Sequence, residues 1–127
     1  MSKLLSSAAL SGFLLSFSTL LWADNCENAR NTYDDVYCIN KVFANADKEL
    51  NKNYQELRAK LNAQQKNTLK RGQLAWIRQR DAQCSDEHEG KVYVRCNLDE
   101  TVQRSAWLRE RMRECHTIGC QTRRLSE

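Results

Sequence analysis

The chain contains no proline and only four glycines in 127 residues. These two residues most reliably end or kink a helix, so a chain nearly without them has few places to stop one. The apolar pattern agrees. Val36, Ile39, Phe43, Ala46, Leu50, Tyr54, Leu57 and Leu61 recur at intervals of three and four, which places them along one face of a long helix. In KELNKNYQELRAKL, acids and bases three or four apart support the exposed faces of the same helix.

A tight turn is expected next, because NAQQ reads as a capping box with Asn62 as N-cap and Gln65 as its reciprocal partner. A second long helix then runs to about Cys84, with Leu69, Trp76 and Ile77 facing inward. So short a connection predicts that the two helices lie antiparallel. SDEHEGKVYVR is the least helical stretch, broken by Gly90 and the β-branched run near Val92. A third helix is expected to restart at NLDET, capped by Asn97 with Glu100, and to carry Val102, Ser105, Leu108 and Met112 inward. DNCENARNTYDD reads as a short N-terminal helical turn. The fold class is therefore all-α: a small disulfide-bonded bundle of two long antiparallel helices, a third helix and that turn.

Residues 1–23 form a separate unit. Lys3, an apolar stretch rich in Leu, Ala, Phe and Ser, and the small residue Ala23 read as a secretory signal peptide cleaved after Ala23, leaving 24–127 and no stable membrane anchor. All six cysteines, Cys26, Cys38, Cys84, Cys96, Cys115 and Cys120, follow that point. An even count in a small exported chain reads as a disulfide framework, in a periplasmic or secreted protein. Their order suggests three local couples, Cys26 with Cys38, Cys84 with Cys96 and Cys115 with Cys120, while the count alone leaves the connectivity open.

Removing Lys3 from the 20 basic residues leaves 19 against 16 acids, a mild excess that says little about partners. Its distribution says more. Residues 64–80 carry Lys66, Lys70, Arg71, Arg78 and Arg80 without an acid, and residues 81–100 carry six acids against Lys91 and Arg95. The basic stretch lacks the interleaved aromatics of a nucleic-acid stacking platform, so no nucleic-acid partner is expected.

Trp76, Arg80 and Asp81 are the first candidate site. Gln73, Trp76 and Arg80 share one helical face, with Asp81 about a quarter-turn away, so Arg80 and Asp81 are expected to reach separate partners on other helices. The stretch offers no nucleophile and no base near neutral pKa, and a structural brace is the better reading. Two histidines, His88 and His116, lie near cysteines. A metal there would need free thiolates, so no metal or cofactor is expected. The second candidate is the loop between Cys84 and Cys96. If these two pair, Asp86, Glu87, His88 and Glu89 sit on a closed loop that loses little freedom on binding.

NCENARNTYDDVYC, ADKELNKNYQELRAKL and LKRGQLAWIRQRDAQC together resemble the lysozyme-inhibitor LprI-like family of small exported bacterial proteins. The matching positions are Cys26, Cys38, Ala46, Asp47, Leu50, Asn51, Tyr54, Leu57, Gln73, Trp76, Arg80, Asp81, Cys84 and Cys96, over roughly 25–108. The resemblance implies a helical, disulfide-bonded binding protein with no catalytic residues to transfer. Its expected partner is a lysozyme or related muramidase, occluded at the substrate cleft. Many lysozymes are basic, so the acidic loop would be steered toward that cleft. The alternative reading is an envelope interaction or stress protein with a non-hydrolase target. From about residue 109 the chain departs from the pattern, adding a cysteine pair and a basic tail.

Overall fold

The computed structural model describes Cys26 and residues 29–127; the leader read at 1–23 lies outside the described residues. Three long helices dominate: α1 (Thr32–Arg58), α2 (Ala63–Gln83) and α3 (Val94–Thr117). A two-strand hairpin, β1 (Ser85–Asp86) and β2 (Lys91–Val92), joins α2 to α3, and a single 3-10 turn spans Thr122–Ser126. The strands pair antiparallel, Ser85 opposite Val92 and Asp86 opposite Lys91. All six cysteines are bonded as the three local couples, Cys26–Cys38, Cys84–Cys96 and Cys115–Cys120.

α1 begins where Asn31 accepts a hydrogen bond from the Asp34 amide at 2.9 Å, and Asp34 and Asp35 favour the positive end of the helix dipole. Thr32–Asp35, expected as part of a separate turn, is therefore the first turn of α1. The chain reverses over Ala59–Asn62. The capping box then starts α2 as expected: the Gln65 amide donates to Asn62 Oδ1 at 2.9 Å and the Asn62 amide to Gln65 Oε1 at 3.1 Å.

Contacts between helices set the directions. Arg80 lies over the Phe43 ring at one end, and Leu57 and Leu69 share the core near the reversal, so α1 and α2 run antiparallel. Arg95 to Asp35 and Arg109 to Glu49, each 2.7 Å, join residues at matching heights, so α3 runs parallel to α1. α3 packs along α1 far more closely than α2 does. The closest helix pair is thus α1 with α3, not the two helices joined by the short turn.

The core consists of Leu50, Leu57, Leu61, Leu69, Leu108 and Leu125, with Tyr54, Trp76, Trp107 and Met112 packed against it. Each fully buried leucine contributes roughly 1.5–3 kcal/mol. Val36 and Val102, assigned inward from periodicity, are 49% and 50% exposed. Val36 lies beside an open groove, and α3 buries Thr101, Arg104, Arg111 and Glu114 beside the expected Ser105 and Leu108. Asn97 is not a cap. α3 starts at Val94, because the Tyr93 amide donates to Cys84 O at 2.8 Å and the hairpin runs straight into the helix.

The end of the chain belongs to the core. Leu125 is 1% exposed, and the 3-10 turn lies on α2 at Gly72. A Cβ at Gly72 would come within 2.9 Å of Leu125 O and 3.1 Å of Ser126 Cα. Backbone cannot yield as a flexible side chain does. Gly72→Ala should cost about 1–3 kcal/mol by overpacking, and Leu125→Ala about 2–5 kcal/mol by opening a cavity. Urea denaturation measures both, and a change under 0.5 kcal/mol for Leu125→Ala would contradict a docked tail.

Candidate functional site

Trp76, Arg80 and Asp81 stand in a larger stack. The Arg80 guanidinium lies 5.0 Å from the Trp76 ring and 5.9 Å from Phe43. Arg104 lies between two indoles, 5.7 Å from Trp76 and 3.8 Å from Trp107, and Arg111 is 5.3 Å from the Trp107 ring. Guanidinium groups and aromatic rings thus alternate from α1 through α2 into α3. Such contacts strengthen when water is excluded.

Hydrogen bonds hold the stack in place. Arg80 donates to Thr101 Oγ1 on α3 at 3.2 Å, the expected reach to another helix. It also donates through Nε and Nη2 to Asp81 Oδ1, at 3.0 and 2.9 Å. The neighbours therefore pair with each other, contrary to expectation, because the long arginine fork curls back to the adjacent carboxylate. Arg104 donates to Gln73 Oε1 at 3.0 Å and to the backbone carbonyl of Glu127 at 2.7 Å. Arg111 pairs with buried Glu114 at 2.9 Å, and Glu114 also binds Arg124 of the tail. Burial, followed by the like charge of Arg111, lowers the Arg104 pKa to about 10. It remains a cation at neutral pH, and because its folded pKa lies below the ordinary arginine value its charge opposes folding wherever it is held. Arg104, Arg111 and Glu114 escaped the sequence reading because charged residues do not register in a hydropathy stripe, and Trp107, set between them, lay off the stripe drawn through Val102, Ser105, Leu108 and Met112. Their spacing of three, four and three was the available signal.

The acidic loop is a separate structure at one end of the bundle. Cys84 is fully buried, and its bond to Cys96 closes the hairpin. Asp86 Oδ1 accepts the amides of His88 at 3.0 Å and Glu89 at 3.2 Å, so this carboxylate builds the turn. Gly90 takes φ +63°, the left-handed conformation the reversal needs. Glu87, His88 and Glu89 are exposed, with Glu89 paired to Lys91. The four predicted residues are therefore together, but only three face outward freely.

Beside this turn lies an apolar surface that the sequence reading missed. Tyr33 and Tyr37 of α1 are 78% and 66% exposed, and Val92 of β2 is 63% exposed. Val36, Ile39, Val92, Tyr93 and Val94 line a groove of about 300 Å³ bounded by the Asp35–Arg95 ion pair. The i, i+4 pair of tyrosines was the sequence signal. Cys26–Cys38 ties the preceding segment to the start of α1 at the same end.

Among the described residues, no group of three or more His, Cys, Asp or Glu could hold a metal ion, and no helix is long and apolar enough to cross a membrane. His88 and His116 stand apart in exposed positions, and the cysteines beside them are oxidised.

A disulfide-tied helical bundle that holds a closed acidic turn beside exposed aromatics belongs to the class of small scaffolds that present a constrained surface. The family is more specific: the model described as Lysozyme inhibitor LprI matches residues 23–108, and the chain belongs to that family, one of inhibitors rather than enzymes. Comparison with curated proteins and with solved structures gave no match.

Trp76→Ala should lower stability by about 3 kcal/mol, because it removes the ring between two guanidiniums as well as core volume. Chemical denaturation followed by near-ultraviolet circular dichroism checks this, and a loss under 1 kcal/mol would mean that the stack does not brace the bundle.

Proposed function

We propose that the protein is an exported, non-enzymatic inhibitor of a lysozyme-type peptidoglycan hydrolase, acting in the periplasm or outside the cell. The hairpin end is laid over the basic rim of the enzyme's substrate cleft. The observation that carries this reading is the adjacency of the disulfide-closed acidic turn to the groove lined by Val36, Ile39, Val92 and Tyr93, with Tyr33 and Tyr37 exposed on the same end of α1. Protein interfaces combine a desolvated aromatic centre with a polar rim, and these two surfaces supply both. Glu87 and Glu89 steer the approach to a basic partner, and the aromatics hold it once docked. Closing the turn with Cys84–Cys96 reduces the entropy lost on binding. Family membership supports the general activity, and three disulfides support an oxidising compartment.

The hairpin is tested by cell-wall lysis assays with a panel of lysozymes. Asp86 is left intact because it builds the turn. Glu87→Lys with Glu89→Lys should raise the half-inhibitory concentration about tenfold at low salt, with a smaller effect at high salt. Tyr93→Ala should weaken inhibition at every salt concentration. Full inhibition by both variants would eliminate this surface.

A further inference from the structure

α1 and α2 meet at the reversal but leave a groove of about 530 Å³ between them, running from Arg58 and Lys70 near the reversal to Asp47 and Arg80 toward the hairpin end. That volume lies within the ~300–1,000 Å³ of ordinary small-ligand sites. Its apolar wall is formed by Leu50, Tyr54, Leu74 and Ile77. Asp47, Asn51 and Gln55 follow along α1 at intervals of four residues, about 6 Å apart. Arg58 and Lys70 stand at the reversal end, and Arg80, already paired with Asp81, at the other.

These polar groups are unused by the fold. Among the described residues, the side chains of Asp47, Asn51, Tyr54, Gln55, Arg58 and Lys70 make no hydrogen bond or ion pair. Gln73 also lines the groove and is only 8% exposed. Its oxygen is fixed by Arg104 at 3.0 Å, which leaves its amide nitrogen as an oriented donor with no described partner. The brace that holds the bundle thereby sets the geometry of the groove.

We propose that this groove binds a short saccharide bearing a carboxylate. The carboxamides of Asn51 and Gln55, each both donor and acceptor, together with the Gln73 amide donor and the Asp47 carboxylate suit hydroxyl groups, which also donate and accept. A phosphate needs donors alone, whereas the groove also presents acceptors at Asp47, Asn51 and Gln55. The rungs 47, 51 and 55 advance by about the length of one pyranose unit. The Tyr54, Leu74 and Ile77 wall suits the C–H face of a sugar ring. Arg58 and Lys70, with no carboxylate partner among the described residues, suit an acid group at one end. A peptide is a poorer match, because helical backbone offers it no main-chain partners. The inference makes no use of the hairpin, so it stands or falls apart from hydrolase inhibition.

The test is a titration of the oxidised protein, labelled with nitrogen-15 and followed by amide shifts. The ligands are an N-acetylglucosamine–N-acetylmuramic acid disaccharide, trigalacturonate, neutral chitotriose and triglutamate. Shifts should centre on Asn51, Gln55, Arg58, Lys70 and Gln73 with at least one acidic saccharide, which identifies the source of the acid sugar. That ligand should bind about tenfold tighter than chitotriose or triglutamate. Asn51→Ala should weaken it about tenfold, and Arg58→Gln with Lys70→Gln should erase the preference over chitotriose. All three positions are exposed, so these variants keep the fold. Absence of shifts at millimolar ligand, shifts elsewhere, or equal binding of chitotriose or triglutamate would overturn the proposal.

Discussion

The guanidinium of Arg104, held between Trp76 and Trp107, is the point on which the arrangement of helices depends. A charge taken out of water is destabilising unless it is well surrounded, and a second arginine, Arg111, stands close enough to oppose it. Two aromatic faces, a carboxamide oxygen and the last backbone carbonyl of the chain offset that cost. Two nitrogens nevertheless remain buried without a partner, Arg104 Nη2 and Arg111 Nε. A buried ionic cluster contributes little net stability compared with apolar packing. Its contribution here is direction. Leucines slide past one another at low cost, whereas a guanidinium clamped between rings permits one rotation of α2 and α3.

The same cluster explains why the C-terminal segment is part of the structure. Glu114 is a buried acid that two arginines neutralise, and one of them, Arg124, comes from the final turn. Leu125 is thereby carried into the core over Gly72, where only a hydrogen in place of a side chain leaves room. Cys115–Cys120 shortens the path between α3 and that turn, and Gln65, from the start of α2, bonds to both Cys120 O and Thr122 Oγ1. The family match ends at residue 108, yet the core is completed by a leucine seventeen positions later.

Rigid interior and open surfaces occupy different parts of the molecule. Disulfides Cys26–Cys38 and Cys84–Cys96 tie down the end that carries the acidic turn and the tyrosines, each closing a short loop worth about 3 kcal/mol of unfolded-chain entropy. A surface fixed in this way binds without first having to order itself. The α1–α2 groove is held open by a different means. α1 packs on α3, and α2 is braced through Arg80 and Arg104, so between their turn and the Arg80–Phe43 contact little draws α1 and α2 together.

Much of this was legible in the residues alone. The absence of proline, the leucine spacing of α1 and the Asn62–Gln65 box determined helices and their first reversal, because each depends on contacts a few residues apart. The order of the cysteines likewise suggested the pairing found. The sequence placed Asp86, Glu87, His88 and Glu89 on one loop, but not the use of Asp86 to build the turn. Tertiary structure alone decided that α3 lies on α1, that Val36 and Val102 face outward, and that Arg104, Arg111 and Glu114 face inward. Periodicity shows which residues share a helical face. It does not show which face is covered, and a charged side chain reads as exposed until a partner from a distant part of the chain makes its burial tolerable.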